Sequence, residues 1–178
     1  MNILLHTCCA PCLIYPLKKL HGNDIVNFFY NPNIHPYEEF AKRKEWVEKL
    51  SIESGLDVIT YEYNPDIYLE KNAFNDDDRC KNCYELRLHE TARVADMKDF
   101  DAFTTTLLSS PFQKHEAIVE IAKKASEKYN IPFYYEDFRS GYRESQKEAK
   151  EMGIYRQKYC GCIYSLESGI RSEKTTVY

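Results

Sequence analysis

Leu4-Leu5-His6-Thr7-Cys8-Cys9-Ala10-Pro11-Cys12 is the stretch from which the fold of this chain is read. Residues 3–7 are an apolar run with the length and composition of a buried strand, and the run stops at a loop of cysteines. Pro11 suits the first turn of a following helix, where Leu13, Ile14, Leu17 and Leu20 recur at helical spacing before His21-Gly22-Asn23. Ile25–Tyr30 repeats the strand pattern up to Asn31-Pro32-Asn33, an amphipathic helix is expected from Pro36 to Ser54, and Asp57–Tyr63 reads as a third strand. The order β-α-β-α-β implies a parallel sheet with right-handed crossovers.

Beyond it, an acidic irregular stretch from Asn64 to Asp78 is expected to hold a short helix around Ile67–Lys71. A helix from Arg79 to Met97 then carries Cys80 and Cys83 near its start. Ala102–Leu108 and Ile131–Tyr135 are the fourth and fifth strands, separated by a helix that begins at Ser109-Ser110-Pro111 and runs to Tyr129. A last helix spans Tyr142–Met152, and a segment from 155 to 178 with Cys160-Gly161-Cys162 is expected to pack at the working edge. The expected architecture is one α/β domain over 1–178, doubly wound on a mainly parallel five-stranded sheet. In such sheets ligands bind beyond the carboxyl ends of the strands, where strand order reverses. Cys8, Cys9, Asn31, Ser109 and Asp137 all follow strands at that edge.

At 178 residues the chain has enough length for a core without disulfides or structural metal, and 43% hydrophobic with 29% charged residues is ordinary for a globular protein. There is no apolar run of about 18 residues and no secretory leader pattern, so the expected setting is the cytoplasm, without membrane. Thiols stay reduced there, and an odd count of seven cysteines at short spacings favours metal or redox chemistry over disulfides. The net charge of −4 does not advertise a nucleic-acid partner, although fifteen tyrosines are in excess and a local basic stripe can sit on an acidic body.

Cys9-x-x-Cys12 and Cys80-x-x-Cys83 each have the spacing at which two thiolates hold one metal centre, and both lie at helix starts that favour the thiolate. Cys160-x-Cys162 is a tighter pair, with Gly161 letting the backbone bend. A lone cysteine is more often a small buried hydrophobe, but two spaced pairs and a third cluster are a stronger signal. Four cysteines suffice for structural zinc or for an iron–sulfur cluster; Cys8, Cys9, Cys12, Cys80, Cys83, Cys160 and Cys162 exceed that by three. The surplus points to a second metal beside the first. Neither G-x-x-x-x-G-K-[ST] nor G-x-G-x-x-G follows the first strand, so ATP is not expected. His6 and Asp137 are candidate proton donors, each with a bland reading as a polar or turn-forming residue, and Asp78 is a minor ligand candidate. Arg43, Arg139, Arg143 and Arg156 are expected to form a basic rim with Tyr142, with Lys174 of the tail assisting and Asn31 and His35 at the edge.

Several stretches together resemble the epoxyqueuosine reductases of the QueH type. They are Leu5–Cys12, Tyr30-Asn31-Pro32-Asn33-Ile34-His35-Pro36, Arg79-Cys80-x-x-Cys83-Tyr84-x-Leu86-Arg87-Leu88, Phe103–Leu107 and Tyr155-Arg156-Gln157-x-Tyr159-Cys160-Gly161-Cys162. The loop before Cys80 departs from that family's pattern in being rich in Asp rather than Gly. The resemblance implies a HUP-like fold, related to the adenine nucleotide alpha hydrolase-like folds. The implied substrate is a tRNA anticodon stem-loop carrying epoxyqueuosine, whose epoxide oxygen is removed with two electrons from an external donor. The implied cofactors are a 4Fe–4S cluster and an adjacent mononuclear iron, without cobalamin. Cys9, Cys12, Cys80 and Cys83 are expected on the cluster, with Cys8, Cys160 and Cys162 near the second iron. Other readings are an iron–sulfur-dependent tRNA sulfur transferase, for which an ATP loop is missing, and a zinc-stabilised binding module.

Overall fold

The first strand, β1 (Asn2–His6), is central: it pairs in parallel with β2 (Asp24–Phe29) on one side and β4 (Ala102–Thr105) on the other. Ile3, Leu4 and Leu5 are fully buried, as a strand covered on both faces requires. The computed structural model describes residues 1–73 and 78–166. Asp76, Asp77 and the tail from 167, with Lys174, lie outside the described residues. The sheet order is β3-β2-β1-β4, with β3 at Asp57–Thr60. The chain therefore starts in the middle, steps outward twice and returns to the far side of β1. That reversal puts the switch point between β1 and β4.

Helix α1 (Ala10–Lys19) packs with α2 (Tyr37–Glu53) and α6 (Tyr142–Glu151). On the other side α4 (Arg79–Met97), flanked by the short α3 (Asp66–Asn72), packs with α5 (His115–Tyr129). Phe28, Phe29, Phe103, Leu13 and Leu88 meet in the core between these layers.

Among the described residues the sheet has four strands rather than five. Ile131–Tyr135 reaches β4 through one parallel bridge, Phe103 to Phe133, with Phe103 N donating to Pro132 O at 3.0 Å and Tyr134 N to Phe103 O at 2.9 Å. Pro132 has no N–H to extend that ladder, and β4 is itself only four residues long. β4 stops at Thr105 because the Thr105 hydroxyl accepts from Leu107 N at 3.1 Å and opens a 3-10 turn, Thr106–Ser109. The next helix starts at His115 rather than Ser109, since Ser110, held extended ahead of Pro111, cannot lead directly into a helix.

The carboxyl ends of the strands are polar where their middles are not. Thr7 N donates to Phe28 O at 2.9 Å, Asn31 Nδ2 to Thr7 O at 3.0 Å, and Asn27 Nδ2 to Ser51 Oγ at 2.7 Å. These buried bonds anchor the end of β1, and thus the first cysteine loop, to its neighbour.

Candidate metal centre

The loop after β1 presents three thiols at the switch point. Cys8 N donates to Thr106 Oγ1 at 3.2 Å, tying the loop to the end of β4. Cys9 is the extended residue ahead of α1, and Cys12 follows one turn later on the same side. The sulfurs of Cys8, Cys9 and Cys12 lie within 4.8 Å of one another. Cys80 and Cys83 arrive on the first turns of α4, Cys80 exposed and Cys83 buried. Cys160 and Cys162 arrive on the last described segment, their sulfurs 3.6 Å apart.

That last segment is held by specific bonds across the chain. Arg43 on α2 donates from Nη1 to Cys160 O at 3.1 Å and from Nη2 to Tyr159 O at 2.9 Å. Its Nε donates to Glu39 at 2.7 Å, and Glu39 also accepts from Tyr155 Oη at 2.7 Å. His35 N donates to Gly161 O at 2.8 Å, and the Tyr159 hydroxyl donates to His35 O. Gly161 has φ +117, and a Cβ there would stand 2.9 Å from Ile34 Cγ1, so both conformation and space call for glycine. Gln157 Nε2 reaches back to Cys9 Sγ at 2.9 Å.

Cys8, Cys12, Cys80, Cys83, Cys160 and Cys162 line one cavity of about 570 Å³, with Cys9 just behind its neighbours. The cavity wall also carries Arg43, Arg79, Arg87, Lys114 and Lys158, and among the described residues no carboxylate lines it. Burial pushes the Cys83 thiol up to about 11 and the Cys9 thiol further. Cys160 is lowered to about 5 by the hydrogen bond it shares with the Cys162 sulfur, and Cys162 is raised in turn. Such a pair gives up one proton readily and the second only to a cation. Soft thiolates without carboxylates select Zn, Cu(I) or iron–sulfur groups rather than Mg or Ca.

The other expected site residues fall into two groups. Tyr142 and Arg43 line the cavity, but every guanidinium nitrogen of Arg43 is spent on holding the segment, so it stands beneath the site rather than on a rim. His6 is behind the cysteine loop, fully buried, with Nδ1 2.8 Å from Thr105 Oγ1 and Nε2 3.2 Å from Tyr30 O. Burial and the nearby Arg87 lower it to about 4, so it is neutral. Asp137 is absent from the cavity wall; its carboxylate accepts from Arg139 Nε and Nη2, which lowers it to about 2 and occupies both residues at the surface. Asn31 and His35 are buried beside the site, with Asn31 Oδ1 and His35 Nε2 lacking a partner among the described residues. Arg143 and Arg156 are exposed and outside the cavity wall, and Asp78 pairs with Lys81 at 3.5 Å. Sequence reasoning passed over Phe112 and Lys114, which carry no local signal, and assigned no role to Arg87 and Gln157, although both stand in the stretches that carry the resemblance.

The model of one protein family, described as epoxyqueuosine reductase QueH, matches residues 3–168 of this chain. A protein of that name from Dehalococcoides mccartyi is 39% identical over 167 residues, covering 92% of each chain. Another from Thermotoga maritima is 39% identical over 175 residues, covering 93% of this chain and 90% of the relative. Among solved structures, a predicted subunit of tRNA methyltransferase from Methanocaldococcus jannaschii superposes with a TM-score of 0.52 at 12% identity, over 84% of this chain and 76% of that one, a likeness of fold alone. With its cysteine clusters gathered at the switch point of a parallel sheet and relatives matched along nearly its whole length, the chain belongs to the epoxyqueuosine reductase QueH family.

Proposed function

We propose that this protein removes the epoxide oxygen of epoxyqueuosine at the wobble position of tRNA, giving queuosine at the expense of two electrons. The observation that carries the reading is the convergence of three thiol clusters on one cavity in a chain of this family. The seven thiols fit a 4Fe–4S cluster with an adjacent iron, the division being Cys9, Cys12, Cys80 and Cys83 for the first and Cys8, Cys160 and Cys162 for the second. When bound, these groups supply single electrons and a Lewis-acidic position for the epoxide oxygen. The strand order is consistent with a HUP-like sheet whose phosphate loop is replaced by cysteines. That replacement disfavours an ATP-dependent sulfur transferase.

The leaving oxygen needs two protons to depart as water. His6 and Asp137 were the expected donors, but neither lines the cavity. Tyr142 does, and its hydroxyl has no hydrogen-bond partner among the described residues. Burial and the Cys12 and Cys9 sulfurs raise its pKa, which keeps the phenol protonated and able to donate. We assign the first proton to Tyr142 and the second to solvent. Tyr142→Phe is expected to lower kcat about a hundredfold at unchanged iron content; a wild-type kcat contradicts the assignment.

For the RNA, Phe112 supports a contact surface different from the arginine rim. It is 82% exposed at the cavity wall, edge-on to Tyr142 with centroids 5.9 Å apart, and Lys114 and Lys158 flank the same opening. An exposed aromatic between cations stacks a base while the cations meet phosphate. Phe112→Ala is expected to weaken stem-loop binding by about 1–3 kcal/mol, and binding is expected to weaken as salt rises. A filter-binding or fluorescence titration checks both. Anaerobic purification separates the enzyme from a zinc module: about four or five irons per chain support the former, and one zinc with no colour excludes it.

A further inference from the structure

Arg87 is buried against the Cys83 thiol and has no acidic partner among the described residues. It is 4% exposed, its Nη2 lies 3.0 Å from Cys83 Sγ, and its Nε donates to Cys83 O at 3.1 Å. Among the described residues no carboxylate comes within ion-pair distance of it. The other buried arginine of the cavity wall, Arg43, has Glu39 at 2.7 Å. A guanidinium is always charged, and burying it without a counter-charge is costly unless something else supplies the negative charge. Here the sulfurs do. The groups that act on Arg87 electrostatically include Cys83, Cys8 and Cys160, one from each of the three clusters. Arg43, by contrast, directs its Nη donors to backbone carbonyls and not to a sulfur.

Resting on the reading that the seven thiols hold a redox iron centre, we infer that Arg87 is the built-in counter-cation of that centre. It is a positioning residue: through its bond to the Cys83 sulfur it favours the reduced, more negative state of an iron–sulfur group held there. When an external one-electron reductant delivers its electron, no bond is made or broken and the negative charge of the site rises by one. A cation and an N–H at the ligand sulfur stabilise that state and raise the reduction potential. A side chain that merely filled space would have no such effect, and one that bound substrate phosphate would act on tRNA affinity instead.

The test uses the full chain, loaded anaerobically with iron and sulfide, and titrated with dithionite through redox mediators while paramagnetic resonance follows the reduced cluster. In Arg87→Gln at wild-type iron content, the one-electron reduction equilibrium is expected to become at least tenfold less favourable, a downward shift of about 59 mV. Arg87→Lys, which keeps the charge, is expected to move less than half as far. An unmoved potential in Arg87→Gln overturns the inference, including the case where only tRNA affinity falls. Should Arg87→Gln hold no iron, Arg87→Lys decides: restored iron supports the counter-cation, and equal loss in both overturns it. A wild-type chain that takes up no iron overturns it as well. If the potential shifts as stated but no queuosine forms, the proposed reaction fails and the role of Arg87 stands.

Discussion

Cys12→Ala is expected to abolish iron loading and turnover while changing the stability of the apo-protein little. Cys12 is buried on the first turn of α1, where the chain has every appearance of a packed core residue. Were packing its role, truncation would cost stability and spare activity. Alanine is the better helix former, and the volume removed borders an open cavity rather than the core, so the apo-protein should shift by roughly 1 kcal/mol or less. The ligand role predicts the opposite balance. Cys12 is one of the four thiols proposed to hold the 4Fe–4S cluster, and its sulfur lies within 4.8 Å of those of Cys8 and Cys9, so its removal would leave the cluster one ligand short. Iron analysis, thermal melting of the apo-protein and turnover, measured on one preparation, separate the two. Retained iron with a lowered melting temperature would make Cys12 a core residue.

Arg43→Ala is expected to undo the site from beneath. Arg43 is 2% exposed and its three donor groups join Glu39 to the carbonyls of Tyr159 and Cys160, more than a hundred residues away in sequence. Truncation leaves the half-buried Glu39 with only the Tyr155 hydroxyl, and two carbonyls without the donors they had. Breaking a buried pair from one side costs about 3–5 kcal/mol. The loss falls on the segment that carries Cys160 and Cys162, because the sheet core makes no use of Arg43. Hydrogen exchange should therefore accelerate across Tyr155–Ser165 while β1 and β2 stay protected, and iron content should fall. Arg43→Lys should recover only part, since one ammonium cannot span a carboxylate and two carbonyls as the planar fork does. Uniform destabilisation of the whole chain would contradict this assignment.

The fold was legible wherever local pattern and tertiary need agree. The run Ile3–His6, the stop at Cys8-Cys9, Pro11 at the start of α1 and the cysteine-bearing helix from Arg79 all stand as their residues indicate. The fifth strand was overread because Ile131–Tyr135 has strand composition but contains Pro132, whose missing N–H limits pairing to a single bridge. The cysteine clusters were legible because paired spacings set them apart from lone buried thiols, and the cavity gathers them. The fate of the arginines was not. Arg43 sits among charged residues on an amphipathic helix and reads as surface; a segment more than a hundred residues later buries it. Arg139 reads as a free cation until its geometry shows it closed on Asp137, two residues back. Phe112 carries no periodic signal, standing in a turn between Pro111 and α5, and only the cavity gives it meaning.

The direct measurement of the reaction incubates the anaerobically loaded protein with epoxyqueuosine-containing tRNA and a low-potential reductant, then digests the RNA and follows its nucleosides by mass. Epoxyqueuosine is expected to disappear and a nucleoside lighter by one oxygen, queuosine, to take its place, with no product in Cys12→Ala. Unchanged epoxyqueuosine with an iron-loaded, reduced wild-type protein would contradict it.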